Sequence, residues 1–136
     1  MTEKAAFSGT ALFYLWFLLL VWFYTGVGAI FGFGTQRESG FPAWVLLLRI
    51  VVFISFFATT FFTLGRRKLA VWGFWVTAVL MIPVTVTFNY YFNLNIADFV
   101  LTAGWIVQTT IVTTIIVLIM VGIYNYVIRD ALYTFY

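Results

Sequence analysis

An all-α bundle of four membrane-spanning helices, with both termini cytoplasmic, is the fold class that this 136-residue sequence predicts. Two observations predict it, and a third bounds its chemistry. Four long apolar stretches take up nearly the whole chain. The composition is 65% hydrophobic, 23% aromatic and 8% charged, where an ordinary soluble domain carries about 25% charged residues. Histidine and cysteine are absent. The first two place the chain in a membrane, and the third removes most of the chemistry it could perform there. Iron–sulfur clusters need cysteine, and zinc and copper sites want imidazole or thiolate.

The length allows one domain, 1–136, because four spans of ~20 residues with short loops use nearly all of it. The first span covers about 11–34. It exceeds the 7–15 residues of a signal-peptide core and reads as a retained helix. A polar break over residues 35–40 leads to Phe41 and Pro42, where proline suits a helix start. The second span covers about 43–64. Gly65, Arg66, Arg67 and Lys68 then form the densest positive cluster in the chain. The third span, about 69–91, contains Pro83, which removes one backbone donor and predicts a kink; Thr85 and Thr87 are placed to satisfy freed groups. After Asn93, Leu94 and Asn95 comes the fourth span, about 96–127. Its ~32 residues exceed what ~30 Å of hydrocarbon requires at 1.5 Å per residue, so it must tilt or emerge as an amphipathic end.

Basic residues mark the cytoplasmic side. With four alternating spans, Lys4, Arg66, Arg67, Lys68 and Arg129 share one side, opposite Arg37 and its neighbour Glu38. Aromatic residues gather at both interfaces, as Trp72 and Trp75 near the basic loop and Tyr90, Tyr91 and Phe92 at the far end. That distribution is an aromatic belt. The small net charge of +3 is a matter of topology and does not suggest nucleic acid.

A few polar residues inside the spans are candidates for function. Arg49 lies about six residues into the second span, roughly 9 Å below its outer end. Asp98 stands on the same outer side, so an Arg49–Asp98 pair is geometrically open, as is contact with an anion, a quinone or a lipid headgroup. Two plainer readings stand beside it. Arg49 can snorkel to the interface with its stem on Phe53, and Asp98 can sit in the first turn of a helix capped by Asn95. In the fourth span Asp98, Thr102, Trp105, Thr109 and Thr113 share one face, with Gln108 beside it and Thr110 and Thr114 flanking. Such a face either glues helices together or lines a conduit. Gly28 and Gly32 carry the small-xxx-small spacing of a helix-packing face, internal or intermolecular. No acid lies deep in a span to carry protons, and no nucleophile–base pair, P-loop or dinucleotide fingerprint is present.

The plan resembles the DoxX/DoxD-like family of small four-helix membrane proteins. The matching parts are Thr25-Gly-Val-Gly-Ala-Ile-Phe-Gly-Phe33 followed by Phe41-Pro42, then Leu64-Gly-Arg-Arg-Lys-Leu-Ala70 running into a helix with Met81, and finally Gly122-Ile-Tyr-Asn-Tyr-Val-Ile-Arg-Asp130. The chain departs from the family at Ala29, where a lysine is frequent, and at Arg49, where an acid is usual. The resemblance implies association with membrane redox complexes, including thiosulfate–quinone oxidoreduction, and carries over no catalytic residue.

The expected function is that of a non-catalytic accessory subunit of a larger membrane complex, of the respiratory or electron-transfer kind, in a bacterial inner membrane. It would pack helices and shape lipid or quinone access near Arg49. Its partners would be membrane lipids and other transmembrane subunits in a hetro-oligomer rather than a homo-oligomer, with no cofactor or metal of its own. The alternative is a small homo-oligomeric transporter or channel lined by Thr102, Gln108, Thr109 and Thr113.

Overall fold

The computed structural model describes residues 7–94 and 99–136. Five α-helices and a closing 3₁₀ helix account for nearly all of them: α1 Gly9–Phe31, the short α2 Phe33–Glu38, α3 Ala43–Leu64, α4 Lys68–Asn93, α5 Ala103–Ile128, and the 3₁₀ helix Arg129–Thr134. Four of these are long and apolar enough to cross a membrane. The chain is therefore an all-α bundle of four candidate membrane spans.

Local chemistry sets most helix ends. The Ser8 hydroxyl accepts from Ala11 N at 3.1 Å and caps α1, and the Thr102 hydroxyl does the same for α5 from Trp105 N at 3.0 Å, each satisfying an orphan first-turn donor. Two turns close with the same pair of backbone bonds, six-to-one and five-to-two, around a residue of positive φ. After α2 that residue is Gly40, at φ 99°, with Phe41 N bonded to Gln36 O and Gly40 N to Arg37 O. After α3 it is Arg66, at φ 62°, with Arg67 N bonded to Phe62 O and Arg66 N to Thr63 O. A side chain in this left-handed region is unfavourable by roughly 1 kcal/mol. Contacts around Arg66 compensate, since its carbonyl accepts from Tyr136 N at 2.8 Å and its guanidinium lies over the Phe7 ring.

Two expectations from the sequence are corrected. The first span ends at Phe31, and Gly32 separates it from α2. The fourth long helix starts at Ala103 with Thr102 as its cap, and the Asn95 cap expected from the sequence lies outside the described residues. Hydropathy cannot locate that start, because Phe99, Val100 and Leu101 are as apolar as the helix they precede. Around Pro83, α4 runs on as one unbroken helix, and the Thr87 hydroxyl donates to the Pro83 carbonyl at 2.8 Å.

In the bundle α1 packs on α3, α3 on α4 and α4 on α5, and the weakest contact, α1 with α5, closes the ring. The buried stripe of α1 (Ala11, Leu15, Leu18, Trp22, Gly26, Ala29) follows the helical repeat along its whole length. That of α4 stops at Ala78, and that of α5 begins only at Thr113. Both stripes lie toward the end where the N-terminal segment, the α3–α4 turn and the C-terminal segment meet. There Phe7 packs edge-on against Phe135, and Lys68 N donates to Tyr136 O at 2.9 Å. This end carries Arg66, Arg67, Lys68 and Arg129 and is called the basic end below.

One aromatic side chain from each spanning helix fills the interior of the basic half. Trp22 stacks on Phe56 (centroids 4.3 Å, 9° between planes), Phe56 meets Phe74 edge-on at 5.3 Å, and Phe74 stacks on Tyr124 at 3.8 Å and 5°. Phe56, Phe74 and Tyr124 are fully buried. The Tyr124 hydroxyl lies 2.6 Å from Thr63 Oγ1. Thr63 already donates its one proton to Thr59 O at 2.7 Å, so Tyr124 is the donor between them. On the basic-end side of this rung α3 and α4 come so close that a Cβ on Gly73 would lie 2.8 Å from Thr59 Cγ2. Gly28, by contrast, has nothing within 4 Å of such a Cβ. The internal packing glycines are thus Gly73 and Gly26, which sits against Phe53. Gly28 is exposed, and Gly32 serves as the α1 C-cap.

A polar crevice in the open half

Away from the basic end the interior is not filled. Two adjoining cavities, of about 220 and 490 Å³, share Met81, Thr85 and Asn89 of α4 and so form one crevice. Its walls come from α3, α4 and α5. No residue of α1 lines it, which leaves the ring without its fourth wall here.

The polar lining is assembled from three helices by helical spacing. Arg49 and Phe53, four apart, put a cation and a ring on the inner side of α3; Met81, Thr85 and Asn89 run along α4 at intervals of four; Trp105, Gln108, Thr109 and Thr113 descend α5. Arg49 is half-buried. Its guanidinium carbon sits 4.1 Å from the centroid of Phe88 and 5.1 Å from that of Phe53. Phe88 is in turn backed by the buried Phe41 ring at 4.9 Å, so the turn at Gly40 fixes the ring that supports Arg49. Arg37 steadies the same turn by donating to Phe41 O at 3.0 Å.

The ring faces attract the cation by about 0.5–2 kcal/mol, yet they cannot satisfy five N–H donors. Among the described residues the ion pair that is present joins Arg129 to Asp130 at 3.6 Å, at the basic end. The Arg49–Asp98 pair that the sequence leaves open lies outside the described residues. A charge within the span costs at least ~2.5 kcal/mol, and the rings offset only part of it.

The hydroxyls tell the same story. Thr25, Thr59, Thr63, Thr77, Thr87 and Thr114 each donate to the carbonyl one turn back, the usual way a helix satisfies threonine. Thr85, Thr109 and Thr113, all in the crevice, make no side-chain hydrogen bond among the described residues, and neither do Asn89 and Gln108. Their polar atoms remain available to an occupant.

The sequence-expected residues divide accordingly. Arg49, Gln108, Thr109 and Thr113 meet in the crevice. Thr102 does not; its hydroxyl is spent on the α5 cap, and it is exposed. Thr85 and Asn89 complete the site and are absent from the sequence-based candidate set. The signal for them is the i, i+4 run Met81–Thr85–Asn89, which places an amide on the same α4 face as a hydroxyl.

Below Thr113 and Val117 the Phe74–Tyr124 stack closes the interior, so the crevice is blind toward the basic end. Its chemistry is that of a binding site: one cation, two amides and three hydroxyls above an apolar floor. No family model, curated protein or solved structure matches the chain, so the DoxX/DoxD likeness rests on the short segments quoted above.

Proposed function

We propose that the chain is a non-catalytic subunit of a larger membrane assembly, of the electron-transfer kind, which packs against partner helices and shapes the access of lipid or quinone to its crevice. The observation that supports this is the bare flank of α5. In its most apolar window the last span is 11% buried, against 33% for α1 and for α3, and no residue from Ala103 to Val112 is buried. Gln108 is exposed on that stretch. An amide turned to lipid tails has no partner, whereas a facing helix supplies one. The basic end, with Arg66, Arg67, Lys68 and Arg129, is the cytoplasmic one by the positive-inside rule, and the host membrane is a bacterial inner membrane.

A conduit through a single chain is disfavoured by the aromatic rung, which blocks the interior beneath the crevice. A transport path would have to run between copies. Gentle solubilisation of native membranes, followed by the mass and composition of whatever contains the chain, tests the reading. Co-migration with other transmembrane subunits at fixed stoichiometry, loosened by Gln108→Leu, is expected. A monomer or homo-oligomer alone overturns it, and loss of vesicle flux in Gln108→Leu then establishes the transporter.

A further inference from the structure

We infer that the crevice is a binding site for one anionic phospholipid, its phosphate held by Arg49 and its acyl chain laid along the α4–α5 wall. This deepens the crevice part of the reading above and does not depend on partner subunits.

Three independent features converge on that ligand. The first is charge. Arg49 brings a full positive charge into the span with no carboxylate beside it among the described residues, so an anionic head neutralises the site and a neutral ring carbonyl does not. The second is the form of the donors. A guanidinium presents a planar fork that matches two phosphate oxygens at once, and Asn89 and Thr85 share its cavity to take the remaining oxygen positions. The third is shape. The smaller cavity, about 220 Å³, is set by Arg49, Phe53, Phe88 and Asn89 and is of headgroup size. The larger, about 490 Å³, continues past Met81, with Gln108, Thr109 and Thr113 on its polar side and Val112, Ile116 and Val117 on its apolar side, and has no α1 wall. A molecule with an anionic head and a hydrocarbon tail fills both, and a lipid enters sideways through the missing wall. Free inorganic phosphate shares the head chemistry and leaves the trough empty.

Native mass spectrometry of the purified chain in an equal mixture of phosphatidylglycerol and phosphatidylcholine with identical acyl chains tests the site. Wild type is expected to retain one phosphatidylglycerol with a preference on the order of tenfold, the scale of one charge-assisted hydrogen-bonded contact. Arg49→Gln abolishes that preference, and Arg49→Lys keeps part of it. Thr85→Val with Asn89→Leu, which leaves the cation in place, lowers it several-fold and serves if Arg49→Gln fails to fold. Neutralising Arg66, Arg67 and Lys68 leaves it intact. Excess inorganic phosphate does not displace the lipid. The inference fails if wild type shows no preference, if the preference survives both crevice variants, if it follows the basic-end residues instead, or if phosphate alone displaces the lipid. Any of these results leaves the subunit reading standing, because that reading is decided on native membranes.

Discussion

The two halves of this bundle are built from the same residue types and use them in opposite ways. In the basic half, the Thr59, Thr63 and Thr77 hydroxyls are tied to backbone carbonyls while the buried Thr60 hydroxyl has no partner among the described residues, the one buried tyrosine hydroxyl of the rung is paired with Thr63, and aromatic rings from four helices pack on one another. In the other half the inward positions carry Arg49, Thr85, Asn89 and Thr109, with Gln108 at the exposed rim, their polar groups unspent around empty space. The contrast separates the part of the molecule that holds the fold from the part left open for a ligand. Helices α4 and α5 pass through both halves, and their buried stripes stop where the crevice begins.

If that division is right, truncation of the rung has the largest effect on stability. Phe74 is fully buried between Phe56 and Tyr124, and Phe74→Ala is expected to cost about 3–5 kcal/mol through lost contacts and the void left behind. Tyr124→Phe keeps the stack and removes one hydrogen bond, for about 0.6 kcal/mol, the average for such bonds in membranes. Thermal unfolding in detergent reads both. Equal losses from the two would mean that the hydroxyl, and not the stack, carries the rung.

A smaller effect separates two glycines. Gly73→Val pushes a side chain into Thr59 across the α3–α4 contact and is expected to cost about 1–3 kcal/mol by overpacking. Gly28→Val meets open space within the chain and leaves the Tm of the isolated protein within a degree or two. A substantial fall in Tm for Gly28→Val would place a helix against that face.

Much of the architecture was legible in the amino-acid sequence, because the length and apolarity of four runs leave few alternatives to spanning helices. The late start of the fourth long helix has a plain origin: hydropathy reports what a residue prefers as solvent and not where a helix begins. Phe99 to Leu101 therefore read as helix, while the true start depends on one hydroxyl, that of Thr102. The same hydroxyl explains why Thr102 drops out of the polar face expected to continue to Thr113. Gly28 and Gly32 have the spacing that permits close approach, but which side of α1 turns inward is decided by what stands opposite, and that side carries Gly26. Gly73 has no spaced partner to advertise it. The crevice was half legible, since Arg49 and Gln108 are conspicuous in apolar surroundings. Thr85 and Asn89 matter only because α4 turns them toward both.

The division into a sealed half and an open half is most directly tested by chemical access. The chain contains no cysteine, so single cysteines at Thr85, Thr109, Thr63 and Thr77 can be labelled without background by a small water-soluble maleimide on the isolated protein in bilayers. Cysteines replacing Thr85 and Thr109 are expected to react at least tenfold faster than those replacing the buried Thr63 and Thr77, and anionic lipid is expected to slow them. Equal rates at all four positions, or faster labelling at Thr63 than at Thr85, would contradict the account.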